Sequence, residues 1–143
     1  MTIQDARARE LTQRIWGAFP VSQPAFAKLL GLLDIEVTER VPTAAVSLGA
    51  NSRLLINPAF ADRHCRGDEA LVILVLHELW HVVLGHTRLY ARMTPAQNWA
   101  FDAVINAQLC RLYPDAAHTR LFRELYGHDR LPGCDGSDQF AEL

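Results

Sequence analysis

Apolar residues run unbroken from Ala70 to Leu76, "ALVILVL", and continue past three polar interruptions, His77, Glu78 and His81, as far as Leu84. A stretch apolar on every side predicts a helix buried in the core. Before it, residues 5–19 predict a helix that Pro20 ends. A second helix is expected over about residues 23–33, with Pro24 suited to its first turn. "DIEVTE", "TAAVSL" and "RLLIN" then predict three strands, the last two joined by the turn-like "GANS". "NPAF" reopens a helix, and Asp68 and Glu69 start the long apolar one, where acids suit the positive end. Gly85 is its expected stop. Thr94 predicts an N-cap, with Pro95 at the first position of a helix running to about Tyr113, and "HTRLFRELYG" predicts a last helical piece. The expected class is α+β, mainly helical, with a small antiparallel sheet packed beside the long apolar helix. One domain is expected over residues 1–143: a helical pair at 1–34, the sheet at 35–57, the central helices at 58–126 and a tail at 127–143.

Composition narrows the class further. With 143 residues, half of them apolar and 21% charged, the chain can bury a core and reads as soluble and globular. A net charge of -2 and scattered arginines offer no basic stripe for nucleic acid. The N-terminus mixes acids with bases and lacks an apolar core, so no secretory signal is read there. The run from Ala70 to Leu84 is too short and too interrupted to span a bilayer, so neither a nucleic acid nor a membrane is the expected partner. The cytoplasm is the expected compartment. Cys65, Cys110 and Cys134 are odd in number and lack a C-x-x-C pair, which favours reduced thiols over a disulfide frame or a zinc knuckle. Thirteen arginines against one lysine, with abundant alanine, fit a GC-rich bacterial genome.

The polar interruptions carry the chemistry. His77 and His81 are four residues apart, so on a helix they share one face, one turn from each other, where two imidazoles can grip one metal ion. Glu78 flanks that face, offset by about 100°, as a general base beside a metal-activated water must. The motif is H-E-x-x-H. Histidines merely paired with backbone are the bland alternative, but an apolar helix offers them few spare partners. A catalytic zinc takes three protein ligands and keeps one position open. Asp102 is the favoured third ligand: Asn98, Asp102 and Asn106, each four apart, form a polar stripe bordering Phe101, Ile105 and Leu109. Asn106, one turn on, would orient a ligand from outside. His86 is the alternative third ligand, or an outer partner; it faces away from His77 and His81 unless Gly85 ends the helix. Arg88, Tyr90 and Arg92, just past the helix, are the candidates for stabilising an oxyanion.

The H-E-x-x-H helix followed by a second acidic helix resembles the gluzincins, in which E-x-x-x-D supplies the third ligand. Here twenty residues separate His81 from Asp102, and "DAVIN" stands in that place. A wider resemblance rests on "INPAF", "LHELWHVVLGHTR" and "NWAFDAVINAQL" in order. The chain is similar to the bacterial family of metal-dependent peptidases whose metallopeptidase domain precedes a von Willebrand factor A-like domain. The matching positions are Asn57 and Pro58, then His77, Glu78, His81 and His86, then Ala100, Asp102 and Asn106. The length leaves no room for the second domain, so an excised domain or a short form is expected. The resemblance implies a zincin-like fold with one Zn2+ per chain and Glu78 as general base in peptide hydrolysis. Two alternatives stand beside it: hydrolysis of a non-peptide amide, and a non-catalytic zinc module working with a von Willebrand factor A-like protein and an AAA+ ATPase. "RLLIN" is a candidate edge for an extended peptide, with ordinary hairpin pairing the favoured use of the strand.

Overall fold

The computed structural model describes residues 2–89 and 92–127, apart from the side chain of Arg88. Its elements follow in the order α1 (Ile3–Ala18), α2 (Pro24–Leu30), β1 (Asp34–Val37), β2 (Ala44–Ser47), β3 (Arg53–Ile56), α3 (Pro58–His64), α4 (Asp68–Val83), α5 (His86–Leu89), α6 (Pro95–Leu112) and α7 (Ala116–Tyr126). The apolar run becomes α4, in which every residue from Ala70 to His77 is buried. It is surrounded by α1, α2, α6, α7 and β2, as a helix with no polar face must be. One hydrophobic cluster joins Leu11 and Ile15 of α1, Leu54 and Ile56 of β3, Ile105 and Leu109 of α6 and Leu121 and Phe122 of α7 to the buried side of α4.

Local chemistry fixes the helix ends. Gly67 gives α4 no side-chain cap, and Asp68 and Glu69 in the first turn complement its dipole instead. Arg14 of α1 forks onto this junction, donating to Asp68 Oδ1 at 3.1 Å, the Cys65 carbonyl at 3.1 Å and the Arg66 carbonyl at 3.3 Å. At the other end Gly85 adopts φ 72°, a left-handed conformation that a side chain disfavours, and the chain reverses into α5. Thr94 and Gln97 close a reciprocal capping box on α6, with Pro95 in the first turn.

The sheet corrects the expectation of an all-antiparallel arrangement. Its order is β1-β3-β2, with β1 parallel and β2 antiparallel to β3. The reason is burial: "RLLI" of β3 places Leu54 and Ile56 at 0% exposure, so the most apolar strand takes the middle. "RLLIN" is therefore paired on both sides and has no edge to offer a peptide. The edge beside α4 belongs to β2. Asn57 holds that edge in place: Oδ1 accepts from the Ala59 and Phe60 amides at 2.8 and 3.1 Å, and Nδ2 donates to the Val41 carbonyl at 2.8 Å. One side chain thus caps α3 and ties down the chain entering β2.

Cys110 departs from the expectation of reduced thiols while Cys65 meets it, and Cys134 lies outside the described residues. Cys110 is disulfide-bonded, whereas Cys65 is free and so buried that its thiol is pushed up to about 12. Among the described residues no helix is long and apolar enough to cross a membrane. If α4 organises the core, Leu71→Ala, at a side chain with 0% exposure, should destabilise the fold by about 2–5 kcal/mol. Urea unfolding measures this, and a loss under about 1 kcal/mol would contradict the central place given to α4.

Candidate metal centre

Two helices build the site. α4 presents His77 and His81 one turn apart, and α6, packed against it, presents Asp102 two turns beyond its capping box. The three side chains converge. Nε2 of His77 and Nε2 of His81 are 3.1 Å apart, and Asp102 Oδ1 lies 3.4 Å from the first and 3.0 Å from the second. His77 and His81 are 9% and 7% exposed, so water does little to screen the group. Among the described residues these three form a cluster that could hold a metal ion.

The outer nitrogens are held too. His77 Nδ1 donates to Asn106 Oδ1 at 2.8 Å, which turns its Nε2 toward the cluster. Asn106 is 1% exposed, so this hydrogen bond is what justifies an amide in the core. His81 Nδ1 pairs with His86 Nδ1 at 3.0 Å. The reversal at Gly85 brings His86 back toward α4, yet onto the outer nitrogen of His81 rather than into the convergent group. Phe101 stacks on the His86 ring at 3.7 Å and fixes its plane. Burial and the neighbouring His81 hold His86 below its usual pKa, so it pairs as a neutral imidazole.

Charge follows from this geometry. Burial alone would raise the Asp102 carboxyl, but the facing imidazoles of His77 and His81 outweigh it and hold the group below the usual carboxylate range. Glu78 goes the other way: burial pushes it up to about 8, the nearby Asp102 adds to that, and His81 and a hydrogen bond from the Val46 amide oppose it. Asn98 is exposed and reaches Asp102 Oδ2 at 3.5 Å.

A cavity of about 370 Å³ opens over the cluster. His77, Glu78, His81 and Asp102 form its polar side; β2 forms one wall, and Phe60, Leu121, Phe122 and Leu125 give it an apolar one. The Thr43 carbonyl accepts from the Asn57 amide at 2.8 Å, so by antiparallel alternation Ala45 and Ser47 face β3. The backbone groups of Ala44 and Val46 then point outward, and the Val46 amide meets Glu78 accordingly. Tyr126, at the end of α7, also lines the cavity.

The expected residues fare differently. His77, Glu78, His81 and Asp102 share one cavity, with Asn106 and His86 outside it. Arg92 is exposed and does not line the cavity; Tyr90 and the Arg88 side chain lie outside the described residues. Sequence reasoning missed β2 as a wall and Tyr126. The only signal for the latter was the spacing of Leu121, Phe122, Leu125 and Tyr126, which turns them toward one side of a helix.

A family model described as "Putative metallopeptidase domain" matches residues 16–140. No curated protein and no solved structure matches the chain.

Titrating wild type and two variants with zinc, against a competing chelator, separates the roles. His86→Ala removes a hydrogen bond to an outer nitrogen and should weaken binding by about 10- to 100-fold. Asp102→Ala removes one of the three convergent groups and should weaken it more. The reverse ranking would mean that His86 belongs in the convergent set.

Proposed function

The chain belongs to the putative metallopeptidase domain family, and from that premise we propose that it is a zinc-dependent peptidase with Glu78 as general base. The observation that carries the proposal is the convergence of three lone-pair donors beside a buried carboxyl in one cavity. Ligands at about 2.0–2.2 Å from a tetrahedral zinc stand about 3.3–3.6 Å from one another. The separations here, 3.0, 3.1 and 3.4 Å, are close to that and too short for three uncompensated acceptors. Two imidazoles and one carboxylate also suit zinc by type and number, leaving one position open.

In this reading His77, His81 and Asp102 hold the ion, while Asn106 and His86 fix the two imidazole rings from their outer nitrogens. When bound, zinc lowers the pKa of a coordinated water to about 7 and polarises a carbonyl. Glu78 takes the proton of the attacking water and hands it to the departing amine. Its carboxyl, raised by burial, is matched to both transfers near neutral pH.

The cavity walls support an extended peptide as substrate. The outward backbone groups of β2 can pair with a peptide strand, which main-chain hydrogen bonds would hold in register. Phe60, Leu121, Phe122 and Leu125 line the space opposite, so an apolar side chain beside the scissile bond is favoured.

Glu78→Gln tests the base. The amide keeps the shape but cannot accept the proton. Zinc content should be unchanged, and cleavage of a mixed peptide library, read by mass spectrometry, should fall by about 10²- to 10⁴-fold. Equal cleavage by wild type and variant would contradict the assignment of Glu78.

A further inference from the structure

We propose that Cys110 and Cys134 form a redox-sensitive disulfide that holds α7 against the cavity, so that oxidation tightens the metal centre and reduction loosens it. The proposal rests on the zinc reading of the site and adds a means of regulating it.

Cysteine arithmetic names the pair. The chain has three cysteines; Cys110 is disulfide-bonded and Cys65 is free, which leaves Cys134 as the partner within the chain. A bond between residues 110 and 134 closes a ring that contains the whole of α7. At its start α7 is joined to α6 by the short link 113–115, where Asp115 caps it by accepting from the His118 amide at 3.1 Å. The disulfide is a second covalent join to α6, made beyond the end of α7 at Gly127.

What the ring encloses is a wall of the site. Leu121, Phe122 and Leu125 line the cavity, and the Phe122 ring stands 6.2 Å from that of His77. The other end of the bond is on the helix that supplies Asp102. Cys110 is 2% exposed and lies one turn beyond Asn106, which fixes the His77 ring, and about two turns beyond Asp102. The disulfide thus ties the helix that presents Asp102 to the one that covers His77. Closing a ring restricts the open forms of α7 far more than the docked one, which makes opening about 10²-fold rarer.

Thiol chemistry allows the bond to be made and broken. In reduction by a dithiol, one thiolate of the dithiol attacks a sulfur of the bond, the other cysteine leaves as a thiolate and takes a proton, and the second thiolate of the dithiol releases the mixed disulfide. The protein gains two electrons and two protons, and the dithiol becomes a disulfide. With so little exposure Cys110 is the sulfur that leaves, and the attack falls on Cys134. Cys65 takes no part, because burial pushes its thiol up to about 12 and leaves almost no thiolate at neutral pH. Where the surroundings are reducing, disulfides are mostly transient and serve catalysis or sensing.

Cys134→Ser opens the ring and leaves α6, α7 and the cavity residues untouched. Wild type and variant are treated with oxidised or reduced dithiothreitol, freed of it under argon and loaded with zinc. Three readings follow: disulfide mapping by mass spectrometry, amide hydrogen exchange across α7, and the rate at which a chelator strips the metal. Oxidised wild type should give a peptide linking Cys110 to Cys134. Its α7 amides should exchange about 10²-fold more slowly than those of the reduced protein, and its zinc should be stripped several-fold more slowly. Reduced wild type should match Cys134→Ser, which should not respond to either treatment. An oxidised wild type without the linked peptide, equal exchange across α7 in the two states, or a variant that still responds would each overturn the proposal. A wild type that takes up no zinc in either state would overturn the zinc reading and the proposal with it, and is told apart from the other failures because mapping and exchange do not depend on the metal.

Discussion

Three lone-pair donors held about 3 Å apart inside a protein repel one another unless positive charge stands among them. His77 Nε2, His81 Nε2 and Asp102 Oδ1 are in that position, and much of the surrounding fold serves to keep them there. α4 can place two imidazoles in the core only because its remaining faces are apolar and covered. α6 reaches them because Thr94 and Pro95 fix where it begins, which sets Asp102 and Asn106 at the right height along it. A carboxylate held below its ordinary pKa, next to one raised to about 8, is the electrostatic mark of the same arrangement. Carboxyl groups whose pKa values are driven apart in this way are candidates for the separate tasks of holding charge and moving protons.

The outer partners turn a cluster into a site. Asn106 and His86 each take the outer nitrogen of one imidazole, so both rings point inward without searching for an orientation. Gly85 makes this possible for His86, because a left-handed residue reverses the chain within one step. Asn57 does a similar service for the cavity wall. By capping α3 and holding the chain before β2, it sets the edge strand against the cavity and Phe60 into the wall. The "NP" of the family pattern is thus explained by architecture rather than chemistry.

Much of this was legible in the sequence because the signals were local. A continuous apolar run, a Thr-Pro helix start, a Gly stop and histidines four apart each report on a few neighbouring residues, and every element except α5, which was not expected, formed within a few residues of its expected ends. Asp102 was legible because a helical stripe of polar residues is also a local pattern. What failed to read was set by contacts distant along the chain. The strand order depends on which of three short strands is most buried, and β3 won the centre that a simple meander would give to β2. Which of its two expected places His86 would take, in the convergent group or outside it, depended on where the reversal at Gly85 would aim it. Tyr126 lies far along the chain from His77, and only the packing of α7 on α4 brings it to the same cavity.

The central claim is that His77, His81 and Asp102 together hold one zinc ion. X-ray absorption spectroscopy of the zinc-loaded protein tests it directly, because imidazole rings scatter in a way that carboxylates do not. The account predicts four light-atom ligands at about 2.0–2.2 Å, with the outer scattering of two imidazoles. A shell with three imidazoles, or a six-coordinate shell with none, would contradict it.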